Sequence, residues 1–282
     1  MRLILLTTLT MMAFAANSIL TRAAVDSGHI DPSGFAIIRA LAGATVLGMI
    51  MSVRGGALPL FQPKRLWGAV SLSAYMIGFS LAYITLDAGL GALILFGVTQ
   101  ITMFGYGALR GAMPSPRQLS GAGIAFLGLV LVLWPGSGSN TDIVGALLMI
   151  MAGFGWAAYT LLGRIARDPL AETAANFIMC LPILLVLLVG AGLRFEVYGI
   201  ALAILCGGVT SGLGYALWYS VLPRLESATA AIVQLSVPII AIAAGALLLG
   251  EPLNLSVLLS AVLVVGGIGW AVSARSAPTD HK

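Results

Sequence analysis

Three aromatic residues, Tyr75, Phe79 and Tyr83, recur at every fourth position, and "GYALWYSVL" (Gly214–Leu222) presents Tyr215, Trp218 and Tyr219 at helical spacing. Phenol and indole rings offer apolar faces for stacking and a single polar atom for a hydrogen bond. With them run Trp156 and Tyr159, the amides Asn17, Gln100 and Gln234, and one cation deep within an apolar stretch, Arg39. This set can enclose and orient a small molecule, but it lacks the parts of a catalyst. The only histidines are His29 and His281, both outside the apolar stretches, and no Gly-x-Ser-x-Gly elbow appears. Cys180 and Cys206 lack metal-ligand spacing and read as small core residues. No enzyme activity, metal or cofactor is expected.

The elements that hold these residues follow from the solvent. Of 282 residues, 60% are hydrophobic and 9% charged, whereas a water-soluble domain carries roughly 25% charged residues. A bilayer core needs about 20 apolar residues per helix. Ten such stretches occur, near 2–23, 33–54, 66–86, 91–110, 118–134, 143–164, 171–191, 199–222, 228–248 and 255–275. The expected fold is an all-α integral membrane protein of ten transmembrane helices. The net charge of +4 points to no nucleic-acid partner, because the basic residues sort by loop. One side collects Arg2, Arg54, Lys64, Arg65, Arg110, Arg117, Arg164, Arg167, Arg224, Arg275 and Lys282; the other has Arg22 and Arg194. The positive side is cytoplasmic, which puts both termini inside.

Residues 1–24 have features of a signal peptide, with Arg2, an apolar core and small residues around Ala13–Ala16. An internal duplication argues against that reading. "AFAANSILTRAA" from Ala13 matches "GWAAYTLLGRIA" from Gly155, placing Phe14 opposite Trp156 and Arg22 opposite Arg164. Asp31 and Asp168 open similar turns, with Arg39 opposite Asn176. "GFSLAYITL" from Gly78 matches "GYALWYSVL", which sets Phe79 opposite Tyr215. The register continues through Ala92/Ala228, Pro116/Pro252 and Ser120/Ser256 to Trp134/Trp270. Each half holds five spans, an odd number, so the second enters the membrane from the opposite side. The expected organisation is one five-helix repeat over 1–137, an inverted one over 141–275, and a cytoplasmic tail over 276–282. Inverted repeats of this kind place substrate between halves that exchange access.

At this point the chain resembles the drug/metabolite transporter superfamily, EamA type, over nearly its whole length. The resemblance rests on the ten-span layout, on "RALAG" carrying Arg39, and on "GALLLGEPL" with Gly250, Glu251 and Pro252. The first-half counterpart, Pro114-Ser115-Pro116, lacks the acid. Among members it is most similar to the YddG-type exporters of aromatic and other neutral amino acids. The resemblance implies export across the inner membrane through a central cavity built from spans one, three, four, six, eight and nine.

The scarcity of buried charge narrows the cargo. Asp87, Arg110, Arg224, Glu226 and Glu251 fall at span ends, where interfacial, solvated charges are ordinary; Glu251 is also a gating candidate. Arg39, about two turns from the outer end of its span, can snorkel outward, stabilise the fold or attract a substrate carboxylate, with the first two favoured. Phosphorylated cargo would need several cavity cations. A proton-coupled antiporter, the alternative function, would need a mid-membrane acid, and the first span offers only Thr7, Thr8, Thr10, Asn17 and Ser18. The expected substrate-binding residues are Asn17, Tyr75, Phe79, Tyr83, Gln100, Trp156, Tyr159, Tyr215, Trp218 and Gln234; Tyr83 and Tyr219 can also serve as interfacial belt residues. Pro238 is expected to kink the ninth span and free the carbonyl of Gln234, with Pro182 raising the same question in the seventh. Gly208/Gly212 and Gly107/Gly111 have the spacing for close helix contact. The protein is expected to act as a monomeric facilitator, its partners a small molecule and the lipid bilayer, and a non-transporting scaffold is the remaining class. The topology is tested by side-specific cysteine labelling: Ser139→Cys should react from the periplasm and Lys64→Cys from the cytoplasm, and a periplasmic terminus would contradict the inverted arrangement.

Overall fold

The structure, a computed structural model, describes the chain apart from residues 1, 61, 112–114, 135–141, 165, 187–193, 226–232 and 274–282. Pro114, Ser139, Glu226, Ala228, Arg275, His281 and the tail over 276–282 therefore lie outside the described residues. Among those described, ten helices follow in order: α1 (Arg2–Val25), α2 (Pro32–Arg54), α3 (Pro63–Ala82), α4 (Ala88–Leu109), α5 (Pro116–Leu133), α6 (Ile143–Arg164), α7 (Pro169–Leu185), α8 (Val197–Arg224), α9 (Ser236–Leu249) and α10 (Leu255–Val272). Seven of them, α1, α2, α4, α5, α6, α8 and α10, are long and apolar enough to cross a membrane, while α7 and α9 are shorter apolar helices.

Local chemistry sets the helix starts. Proline occupies the first turn of α2, α3, α5 and α7, where its missing N–H would have had no partner. Asp31 caps α2 through the Ser33 amide at 2.9 Å, and Ser115 with Gln118 forms a reciprocal capping box on α5. The bundle is apolar outside as well as inside. Val53, Leu109, Val197 and Leu247 are each more than 80% exposed, an arrangement water would penalise and hydrocarbon does not. The interior uses small residues such as Ala36, Ala40 and Ala44 to bring backbones together. This is a multi-pass, all-α membrane protein.

The helix pairings have an internal order. α2 packs on α7, α4 on α9 and α5 on α10; α3 packs on α6 as α1 does on α8, α4 on α6 as α1 does on α9, and α3 on α7 as α2 does on α8. Exchanging α1–α5 for α6–α10 maps each of these contacts onto itself or onto another in the set.

Two irregularities were not legible in the sequence. α8 contains a π-helical segment, Cys206–Leu213, and α9 ends in another, Gly245–Leu249. The first brings its glycines against α2: a Cβ on Gly207 would collide with the Arg39 carbonyl, and Gly208 and Gly212 face Val46 at 3.3–3.4 Å. The expectation of close approach therefore holds for Gly208 and Gly212. It fails for Gly107 and Gly111, where an added Cβ would meet nothing within 4 Å among the described residues; Gly111 instead supplies a left-handed turn, with φ 86, after α4. Pro238 has the expected break beside it: Val233 and Gln234 are helical, Leu235 is a turn, and the helix resumes at Ser236, an interruption within one turn before the proline.

A matched pair of substitutions tests the packing. Gly207→Ala should destabilise the protein by about 1–3 kcal/mol, the cost of overpacking a close contact. Gly107→Ala, in open space, should be neutral or stabilising by about 0.5–1 kcal/mol. Thermal unfolding in detergent measures both, and equal effects would contradict this account of α2 against α8.

Candidate functional site

The aromatic residues converge at the centre of the bundle. Phe14 of α1, Tyr75 and Phe79 of α3, Trp156 of α6 and Tyr215 of α8 line a small chamber with Asn17, Ser18, Leu95 and Phe96. The Trp156 ring lies 5.0 Å from Tyr75 and 5.4 Å from Tyr215, centroid to centroid, and Phe14 stands edge-on to Tyr215 at 5.7 Å. Trp218 completes the cluster, 6.0 Å from Phe14. These are spacings at which rings attract. The free space enclosed is about 10 Å³, room for about one water molecule. Phe14 was noted in the sequence only as the counterpart of Trp156, although its ring sits among the others.

Behind Asn17, Tyr75 and Phe79 lies the guanidinium of Arg39, with 0% exposure. It does not snorkel. Nε donates to Ser211 Oγ at 3.0 Å, and Nη2 donates to the Tyr75 hydroxyl at 2.9 Å and Asn17 Oδ1 at 3.3 Å. The group also packs 5.2 Å from the Tyr75 ring centroid and 5.1 Å from that of Phe79. Asn17 Oδ1 is the hub: besides Arg39 it accepts from Cys206 Sγ at 3.3 Å, Thr210 Oγ1 at 2.7 Å and Ser211 Oγ at 3.0 Å. The π segment of α8 supplies all three of these donors. In the sequence register that pairs Phe79 with Tyr215, Tyr75 falls opposite Ser211, and both hydroxyls accept from the same cation.

The remaining expected residues line open space toward the end of the bundle that carries Arg65. A vestibule of about 380 Å³ is bounded by Gln100, Trp156, Tyr159, Tyr215, Trp218, Tyr219 and Gln234. A second, of about 550 Å³, shares Tyr159 and Tyr219 and adds Arg65, Glu172, Thr173 and Asn176. Trp156 and Tyr215 thus form the wall between vestibule and chamber. Tyr159 donates to Thr173 Oγ1 at 3.1 Å. Tyr219 belongs to this group and is no belt residue. Tyr83 does not belong: fully buried at the far end of α3, its hydroxyl donates to the Ala88 carbonyl at 3.2 Å. Pro238 is buried in α9 and lines neither space.

The opposite end is shut by charge. Arg22, expected only as a loop-side cation, pairs with Asp26 at 2.9 Å, Asp87 at 3.7 Å and Glu251 at 3.8 Å, and donates to the Tyr83 and Ile84 carbonyls, both at 3.0 Å. Glu251 Oε1 accepts from the Ala88 amide at 2.7 Å. Glu251 and Arg22 are 10% and 14% exposed, so the reading of Glu251 as a solvated charge is corrected: it helps to close a seal joining α1, the α3–α4 turn and the α9–α10 turn.

Burial pushes the carboxyls of Asp87 and Glu251 up from their ordinary values, although Arg22 draws both down. A carboxyl with a higher pKa when sealed than when hydrated binds protons preferentially in the sealed form. The seal should therefore gain stability as pH falls into the window just above the ordinary carboxylate range and lose it as pH rises. Spin labels at Ser27 and Leu253 report this by pulsed dipolar spectroscopy. The short-distance population should be larger at about pH 5.5 than at about pH 8, and Glu251→Gln should flatten the difference. A population that grows with pH would contradict this electrostatic account.

Comparison with known proteins agrees with this architecture. The sequence model of the EamA-like transporter family matches residues 143–273. An uncharacterized protein of Pseudomonas aeruginosa is 44% identical over 277 residues, covering 97% of this chain and 96% of that one. A probable amino-acid metabolite efflux pump of Salmonella typhimurium is 27% identical over 215 residues, 71% of this chain and 72% of the other. A solved crystal structure at 18% identity shares the fold, with a TM-score of 0.67 over 94% of this chain and 96% of that one. Over residues 143–273, then, the chain is similar to the EamA-like transporter family.

Proposed function

We propose that this membrane transporter exports neutral amino acids or similar small metabolites, with a preference for aromatic and other hydrophobic side chains, by alternating access through the aromatic chamber. The observation that carries this reading is a chamber of stacked rings standing between an open vestibule at one end and an ion-paired seal at the other. Relatives named as probable amino-acid metabolite efflux pumps support the cargo class.

Residues 1–137 and 141–275 are then inverted five-helix halves. The exchange-symmetric helix pairings and the convergence of Phe14, Trp156, Phe79 and Tyr215 support that arrangement. The Arg65 end, rich in described arginines, is assigned to the cytoplasm, so the structure corresponds to an inward-open state of a protein in the inner membrane. Transport is proposed to run down the substrate gradient, because no described acid lines the chamber. Counterflow in proteoliposomes should therefore persist without a pH gradient or membrane potential; a strict requirement for proton flow would favour the antiport alternative.

Specificity is tested at Trp156. Ring contacts are worth about 0.5–1.5 kcal/mol beyond burial, so Trp156→Ala should weaken competition by phenylalanine about threefold to tenfold more than competition by threonine. A purely structural Trp156 would lower both together, through a cavity costing about 3–5 kcal/mol of stability. An unchanged ratio in the folded, purified variant would remove Trp156 from the cargo site.

A further inference from the structure

Arg39 has a full positive charge in the bundle interior with no carboxylate partner among the described residues. Arg22, Arg54, Arg65 and Arg194 each have one. Burying an unpaired ion is costly, and the dipoles of Ser211, Tyr75 and Asn17 answer only part of this one. Its Nη1 has no hydrogen-bond partner. Two further buried donors next to it are also unsatisfied, the Tyr215 hydroxyl and Trp156 Nε1. The Trp156 ring lies 5.0 Å from that of Tyr75, which holds the guanidinium, and the Tyr215 ring lies 5.4 Å from that of Trp156. Two of these unused donors belong to chamber-lining residues, Tyr215 and Trp156, and the third, the cationic one, lies directly behind the lining residues Asn17 and Tyr75; no described acid lines the space.

We propose that Arg39 Nη1, the Tyr215 hydroxyl and Trp156 Nε1 form a carboxylate subsite, so that the carboxylate is the obligatory recognition group of the cargo and the amino group is dispensable. This rests on the reading of the chamber as the cargo site and names the chemistry it selects. The ligand supplies the counter-charge that the protein omits. A carboxylate has about four lone-pair sites and can accept from all three donors, whereas no described acid faces the chamber to demand an ammonium. Because the chamber holds only about 10 Å³ of free space, Trp156 and Tyr215, the wall shared with the vestibule, must swing aside to admit cargo. The same motion brings their donors to the incoming carboxylate.

The test measures binding to the purified protein and counterflow in proteoliposomes, with ligands that differ by one group. Phenylalanine, 3-phenyllactate and 3-phenylpropionate, which share the carboxylate, should compete within about threefold of one another. Phenylalaninamide and phenylethylamine should be at least about tenfold weaker, the loss expected for one charge-assisted hydrogen bond. Two variants separate recognition from folding. Tyr215→Phe removes a hydroxyl that has no partner, so thermal stability should hold or rise while the carboxylate ligands weaken about tenfold. Asn17→Asp is close to isosteric and gives Arg39 an internal counter-ion, so it should fold and lose the carboxylate ligands selectively. If amide and amine bind and are carried as well as phenylalanine, the chamber stands and the subsite falls. A Tyr215→Phe protein that binds like the parent also overturns the subsite. If none of the five ligands binds or is carried, the reading of the chamber as a site for this cargo falls as well.

Discussion

A guanidinium held in the interior of a membrane protein, with no carboxylate partner among the described residues, constrains everything around it. The desolvation cost of such an ion is several kcal/mol even after relaxation, so its neighbours must offer oriented dipoles and must not move independently. Asn17 of α1, Tyr75 of α3 and Ser211 of α8 meet that demand for Arg39 of α2. Four helices are thereby tied at one point. The π segment of α8 follows from the same requirement: its glycines let α2 approach until backbones touch, and its Cys206, Thr210 and Ser211 all point donors at Asn17. π-helical turns recur at functional sites because they re-aim side chains at a local cost.

The two ends of the bundle then differ in a way a transporter needs. Toward Arg65 the helices part, and tyrosines, glutamines and tryptophans border two connected spaces. Toward Arg22 they close, and the closure is electrostatic. Ion pairs between turns suit a seal that must break, because their strength depends on geometry and hydration. In the proposed symmetry Asn176 is the counterpart of Arg39. It is buried with an unpaired Oδ1 and borders the larger vestibule. A closed cation site on one side and an open amide site on the other are what two related halves would show when caught in one of two access states.

Much of this was legible in the sequence. Hydrophobic length gave the helices, and the spacing of Tyr75 with Phe79 and of Tyr215 with Trp218 put rings on shared faces that do meet. Arg39 stands out because charge at that depth is expensive, and of its two favoured fates it takes the structural one: snorkelling needs a free path outward, whereas Ser211 of α8, distant in sequence, helps to keep it inside. Tyr83 fits the same four-residue spacing as Tyr75, but α3 ends at Ala82 and Tyr83 turns into the seal. Pro238 signalled the interruption of the ninth helix, which falls at Leu235 between helical residues on either side. The Arg22 cluster escaped notice because its members come from the end of α1 and two separate turns, each unremarkable on its own.

The central claim is that the Arg22 end opens and closes while cargo waits in the chamber. Arg22→Cys and Asp87→Cys place thiols where two side chains now come within 3.7 Å, and a short reducible bifunctional reagent can bridge them. Binding and counterflow are then measured on the bridged protein and again after reduction. The account predicts that the bridged protein still binds cargo from the Arg65 end, carries none of it, and regains flux on reduction. Undiminished counterflow through the bridged protein would contradict it.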